Sequence, residues 1–286
     1  MKKQYNKSKR LKIVFVAIAL IIAFCMWQNN SISVSSADYY SAKVPAEFDG
    51  FKVVQISDLH NKMFGKNQSR LLSKVECLSP DIIIVTGDLI DRRRFDLETA
   101  MCFVEGAVKI APVYYVSGNH EAWSGKYDEI TRQLIDAGVF VMDDSKAEIT
   151  KGKESIQIIG LPNPDLFASN LSDGLKADKL DESLKLLSLN KEFGILLAHH
   201  PELFNIYTKN EMDLIFAGHA HGGQFRIPFI GGLFAPDQGL FPDYDSGSYV
   251  EGNSTMFVSR GLGNSIFPIR INNPPEIVVI NLRCGG

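Results

Sequence analysis

Residues 51–60 read Phe-Lys-Val-Val-Gln-Ile-Ser-Asp-Leu-His, a short apolar run that breaks into a polar knot. Four further runs end in the same way. Residues 82–86 lead into Gly87-Asp88-Leu89-Ile90-Asp91, and 113–117 into Gly118-Asn119-His120-Glu121. Residues 194–198 precede His199-His200-Pro201, and 213–217 precede Gly218-His219-Ala220-His221. Unbroken apolar runs of this length are what strands buried on both faces require. Between them, 68–78, 97–108 and 127–137 carry apolar residues at helical spacing. Strands alternating with helices predict an α/β sheet architecture. Residues 147–151 and 155–160, separated by Gly152-Lys153-Glu154, read as a hairpin, and 255–259 and 276–282 as late strands, so the sheets are mixed. No Pro/Gly/Ser-rich linker divides the body, which reads as one domain over 48–283.

Composition narrows the class. The 286 residues are 45% hydrophobic and 22% charged, with a net charge of −3. That is too apolar for disorder, and four cysteines without a CxxC pair exclude a disulfide scaffold, a zinc ribbon or a redox pair. The charge balance excludes a nucleic-acid binder acting through bulk positive charge. It is, however, a sum of unlike parts. Lys2, Lys3, Lys7, Lys9, Arg10 and Lys12 precede the first acid, Asp38, and the remaining 24 basic residues face 33 acidic ones, so the body carries −9.

The basic tail, 1–12, is followed by an uncharged apolar segment, 13–27, and a linker, 28–47. A positive region before an apolar one reads as a signal-anchor or a signal peptide, with the basic end cytoplasmic and the body exported. A helix of that length spans about 22 Å, short of a hydrocarbon core of about 30 Å, and Leu11 with a snorkelling Lys12 extends it. Val34-Ser35-Ser36 before Ala37 offers a weak cleavage site. The alternative without a membrane is a buried helix, against which the six positive charges count. The expectation is a single-pass cell-membrane protein with its domain outside, or a secreted one if cleavage occurs.

All six histidines lie in the knots or directly after strands. In an extended strand end, side chains two apart point the same way, so Asp58 and His60 can converge on one ion, as can His219 and His221. Asp88 closes an apolar strand, where a carboxylate needs a neutraliser, and a divalent cation is one. Each knot alone has an ordinary reading as a turn, an N-cap or a solvated loop. Five in succession, each at the carboxyl end of a strand where open α/β sheets bind ligands, do not.

The ordered set Asp58-x-His60, Gly87-Asp88-x-x-Asp91, Gly118-Asn119-His120-Glu121, His199-His200-Pro201 and Gly218-His219-x-His221-Gly-Gly-Gln resembles the calcineurin-like metallophosphoesterase superfamily across 51–283. With the apolar N-terminus, Ser259-Arg260-Gly261-Leu262-Gly263 and Asn273-Pro274-Pro275-Glu276, it is similar to a membrane-anchored, YkuE/YaeI-like branch. The resemblance implies a four-layer α/β/β/α sandwich holding two divalent metal ions. Asp58, His60, Asp88 and His221 would hold one ion; Asp88, Asn119, His199 and His219 the other, with Asp88 bridging. It implies a bridging hydroxide as nucleophile and His120 as the acid at the leaving oxygen. A nitrogen and oxygen shell suits Mn, Fe or Zn, with Mn favoured.

Asp91 and Glu121 read as orienters of ligands or of His120, or as surface acids. His200 is left as substrate-facing or as a support to the ligands, and Arg260 as a phosphate contact. Arg92, Arg93 and Arg94 read as a solvated turn rather than a phosphate patch. The glycine-rich aromatic stretch 222–248 reads as a functional loop. The expected activity is phosphate-ester hydrolysis, diester before monoester, on a lipid or cell-envelope polymer. The alternatives are pyrophosphate hydrolysis of a lipid-linked UDP-sugar, as by UDP-2,3-diacylglucosamine hydrolases, and a non-catalytic metal-binding adaptor. P-loop, HExxH and GxSxG motifs do not occur.

Overall fold

The apolar runs become the inner strands of two six-stranded sheets. The computed structural model describes residues 2–168, 170–188, 192–264 and 267–285, with side chains from Lys9 onward. The first sheet takes strands β1 (Ser33–Ser41), β2 (Lys52–Ile56), β3 (Ile82–Thr86), β4 (Val113–Val116), β5 (Phe140–Val141) and β16 (Glu276–Cys284), in the order β1-β16-β2-β3-β4-β5. The second takes β6 (Ser145–Lys151), β7 (Glu154–Gly160), β8 (Gly194–Leu197), β9 (Leu214–Ala217), β14 (Gly247–Glu251) and β15 (Ser254–Val258), in the order β14-β15-β9-β8-β7-β6. The short pairs β10 (Arg226–Ile227) with β11 (Gly231–Gly232), and β12 (Phe234–Ala235) with β13 (Gly239–Leu240), lie within the glycine-rich loop.

Alternation along the strands sorts their side chains into three cores. Val53, Ile84 and Val278 of one sheet face Ile158, Ile195 and Phe216 of the other. The opposite face of the first sheet, with Val54, Ile83 and Val279, packs on α2 (Ser69–Leu78), α3 (Leu97–Ala107) and, beyond the short α4 (Asn119–Trp123) that follows β4, α5 (Tyr127–Asp136), through Leu71, Phe103 and Ile130. The outer face of the second, with Leu196, Ile215 and Met256, packs on α6 (Asp173–Leu187) and α7 (Phe204–Lys209). The chain is therefore a mixed α/β fold in four layers, α/β/β/α. Gln55 crosses between the sheets, donating to Thr86 Oγ1 at 2.9 Å and the Ala217 carbonyl at 2.8 Å. It ties together three of the five strand ends on which the knots stand, those of β2, β3 and β9.

The amino-terminal boundaries differ from expectation. Residues 28–47 are not a free linker: β1 runs parallel to β16 over nine residue pairs, from Ser33 with Glu276 to Ser41 with Cys284. Its polar sequence, SVSSADYYS, hides an edge strand because only one partner strand covers it. The N-terminal helix α1 spans Lys2–Asn30 rather than 13–27. Its stretch Lys9–Asn30, 22 residues, is long and apolar enough to cross a membrane, and it is almost wholly exposed.

Removing residues 33–36, as cleavage before Ala37 would, strips the pairing with 276–279 from the sheet. At about 0.5–1.5 kcal/mol per hydrogen bond, a chain beginning at Ala37 is expected to unfold at a clearly lower temperature than one beginning at Ser31. Thermal unfolding of the two chains checks this, and equal midpoints would show β1 to be dispensable.

Candidate metal and phosphoester site

The five knots meet over the carboxyl ends of β2, β3, β4, β8 and β9. Asp58, His60, Asp88, Asn119, His199, His219 and His221 are each at most 6% exposed. Among the described residues three groups of donor atoms form, each within 4.8 Å: one of His200, Glu202, His219 and Asp237, and two at the knots, Asp58, His60, Asp88 and His221, and Asp88, His199 and His219. Asp88 belongs to both knot groups. Asn119 joins the second of them, its Oδ1 3.0 Å from His199 Nε2.

The side chains do not converge by the extended geometry expected of strand ends. Asp58 (φ 52°), His60 (46°), Asp88 (54°), His219 (65°) and His221 (50°) all have left-handed backbones. Non-glycine residues held there store strain, typical of functional sites. The backbone turns sharply back over the strand ends, which lets short segments present several side chains to one point. Glycine makes the closeness possible: a Cβ on Gly118 would stand 2.2 Å from Asp88 Oδ1, and one on Gly218 2.1 Å from Ser57 Oγ.

Hydrogen bonds fix which ring nitrogens face inward. His199 Nδ1 donates to the Thr86 carbonyl at 2.7 Å, leaving the Nε2 lone pair for the site. That nitrogen lies 3.2 Å from His219 Nδ1 and 3.5 Å from Asp88 Oδ2. His60 Nε2 faces His221 Nε2 at 3.0 Å and Asp88 Oδ2 at 3.4 Å. Asp58 Oδ1 lies 3.4 Å from His221 Nε2. Two carboxylates and four imidazole nitrogens thus crowd into one buried pocket, and for His199 and His219 the partners on the outer ring nitrogens, the Thr86 carbonyl and Asp237, leave the inward lone pair free. Burial pushes Asp58 up to about 6 and His60 down to about 3, whereas the histidines around Asp88 hold it well below the usual carboxylate range. A donor set of this composition fits two divalent cations.

Around it stand supports. The Glu121 carboxylate accepts from the backbone N–H groups of Asp88 (2.8 Å), Gly118 (2.8 Å) and Ile90 (3.1 Å), locking two knots together. His120 is buried, its ring centroid 4.4 Å from that of His60. Its Nδ1 accepts from the Arg92 N–H at 3.2 Å and lies 3.5 Å from Asp91 Oδ1. His200 Nδ1 pairs with Glu202 Oε1 at 2.5 Å, and its Nε2 meets Asn163 Nδ2 at 2.8 Å. Arg92 to Arg94 form an exposed turn, with Arg92 4.5 Å above the Trp123 ring.

Arg260 is the departure. Its guanidinium turns to Glu276 Oε1 (2.7 Å) and Ser33 Oγ (3.2 Å), because the carboxylate at the start of β16 captures it. The arginine at the site is Arg270, fully buried, with Nη2 3.3 Å from His221 Nδ1. Asp237 also went unread: from the 222–248 loop its Oδ2 reaches His219 Nε2 at 2.8 Å. Beside these groups a cavity of about 320 Å³ is lined by Trp123, Lys176, His200, Glu202 and Asp237.

A Gly118→Ala chain is expected to lose about 1–3 kcal/mol of stability and to bind less metal, since the new Cβ must displace Asp88. Metal content per chain, measured beside thermal unfolding, checks this; full metal loading would mean that Asp88 adapts.

Residues 51–223 match the model of the calcineurin-like phosphoesterase family. The chain is 30% identical to the uncharacterized metallophosphoesterase YkuE of Bacillus subtilis, over 85% of this chain and 82% of that protein. It is 27% identical to phosphodiesterase YaeI of Escherichia coli, over 81% and 82%. It is also 27% identical to UDP-2,3-diacylglucosamine pyrophosphatase LpxG of Chlamydia trachomatis, over 91% and 92%. With the fold, the buried donor groups and these relatives in agreement, the chain belongs to the calcineurin-like phosphoesterase family and is a hydrolase acting on phosphoric esters.

Proposed function

We propose that this protein is a membrane-anchored phosphodiesterase that works at a two-metal centre on the outer face of the membrane. The observation that carries the reading is Asp88, whose carboxylate is shared by two groups of donor atoms in one buried pocket. Asp58, His60, Asp88 and His221 would hold one divalent cation, and Asp88, Asn119, His199 and His219 the other. Bound there, the pair would supply a water acidified toward neutral pH and positive charge for the phosphoryl oxygens.

The chain does the rest. Thr86 holds His199 in one tautomer, and Asp237 orients His219. His120 has its Nδ1 engaged by the Arg92 N–H, so a neutral ring carries its proton on Nε2. The acid is the doubly protonated ring: Asp91, its Oδ1 3.5 Å from Nδ1, would stabilise that imidazolium, which gives its Nε2 proton to the departing alkoxide and returns to the neutral ring. A metal-binding adaptor without turnover would not need this acid. The cavity beside His200 and Trp123 suits the organic part of a diester, with Lys176 at its wall. Manganese is the favoured ion for the nitrogen and oxygen shell.

A second reading is pyrophosphate hydrolysis of a lipid-linked UDP-sugar, favoured by the likeness to LpxG along nearly its whole length. The apolar N-terminal helix supports a lipid or envelope substrate in either case. An outward-facing site fits envelope phosphates better than a cytoplasmic nucleotide-sugar.

His120→Asn is expected to lower kcat by about 10²–10⁴-fold with metal content unchanged, and Asp88→Asn to lose both metal and turnover. Hydrolysis of bis-p-nitrophenyl phosphate, p-nitrophenyl phosphate and a UDP-sugar pyrophosphate, each with and without chelator, checks this. Chelator-insensitive hydrolysis would defeat the two-metal reading, and a preference for the pyrophosphate would favour the second one.

A further inference from the structure

The last turn of α1 is built into the domain next to the site. Asn29 Oδ1 accepts from the Arg270 backbone N–H at 3.1 Å and from Asn264 Nδ2 at 3.0 Å. Gln28 Oε1 accepts from the Asn273 N–H at 3.3 Å. The last carbonyls of the helix are taken by basic side chains, Asn29 O by Lys62 Nζ and Asn30 O by Arg70 Nη2. Trp27, 62% exposed, stands one turn before the end, as interfacial tryptophans do.

Outward from this seat the segment 267–271 runs beside the hairpin of β10 and β11. Phe225 bridges to Ile271, the Arg226 N–H donates to the Ile271 carbonyl at 3.0 Å, and the Phe225 and Phe267 rings lie 5.6 Å apart. Together they expose Phe267, Ile269 and Ile271, each 40–42% accessible, and at the hairpin Ile227, Ile230 and Phe229. Phe229, at the tip, is wholly bare and has a left-handed backbone (φ 69°). Apolar side chains gathered in this way on a water-soluble face mark an interaction surface.

We propose that the hairpin tip and the 267–271 segment form a collar that enters the lipid headgroup region around the exit of α1, with the exposed Arg70 at the level of the lipid phosphates. The inference rests on α1 crossing the membrane. The occupant is the bilayer, not a protein partner, because the patch is continuous with the seat of an exposed apolar helix and the exposed Arg70 borders it there. Collar and anchor together fix the site at the surface: Arg270 is bonded to α1 by its backbone, and its guanidinium reaches His221. The substrate class is accordingly a phosphate ester carried by a membrane-held amphiphile.

The test uses the full chain in vesicles of phosphatidylcholine and phosphatidylglycerol, with and without bromine on the acyl carbons nearest the glycerol. Phe229→Trp places a reporter at the tip, and Phe140→Trp, on the sheet edge farthest from β1, serves as the control. Emission of the wild-type chain, from Trp27 and Trp123, is subtracted. The expected result is resistance to alkaline carbonate, with the indole at 229 quenched about two-fold or more and the one at 140 unchanged. Carbonate resistance with an unquenched indole at 229 overturns the collar and leaves the anchor standing. A blue-shifted but unquenched indole there means that a protein surface covers the tip, and also overturns it. Release by carbonate overturns the anchor reading and the collar with it.

Discussion

Two carboxylates, Asp58 and Asp88, stand almost without solvent exposure at the ends of neighbouring strands, and the rest of the site answers to that fact. Like charges buried together raise each other's proton affinity and would separate or neutralise if nothing compensated them. Here they are ringed by the nitrogens of His60, His199, His219 and His221 and approached by Arg270. The backbone contributes as well: the His219 N–H donates to Asp58, and the His120 N–H to Asp88. Keeping such groups close requires five left-handed residues and glycines at the points of nearest approach. Strain of this kind persists only on a rigid base, which the two sheets and the Gln55 bridge between them provide.

What the sequence exposes follows from that base. Asp58, His60, Asp88, Asn119 and the later histidines were readable because each sits directly after an apolar strand, where its neighbours in the chain mark its place. The strand and helix pattern was readable for the same reason, apolar periodicity surviving in every inner strand. The way the side chains converge was not, since a pattern of residue types carries no φ angle. Extended geometry would bring Asp58 and His60 together, and left-handed turns do so by another route.

The residues missed share one property: their partners lie far away in sequence. Arg270 meets His221 across 49 positions, and Asp237 meets His219 across 18, each from a loop without periodicity. Arg260 drew attention because glycines surround it, yet Glu276 sixteen residues on decides where its guanidinium points. β1 was missed because an edge strand with a polar face has no apolar signature, although it is the element that carries the chain from the helix into the sheet.

That connection changes the meaning of the N-terminal charge. A tail of six positives and a body of −9 look like separate properties, one for topology and one for solubility. With only Ser31 and Ile32 between α1 and β1, and with Asn29 bonded to Arg270, the helix has no free tether on which to swing. A rigid joint converts the positive-inside rule from a statement about sidedness into one about position. If α1 crosses a bilayer as proposed, the depth it takes would be transmitted through Arg270 to His221. On the same proposal the body's negative charge would bear on that position too, since an anionic membrane surface would repel most of the domain and leave the face carrying Arg70 as the one oriented toward lipid.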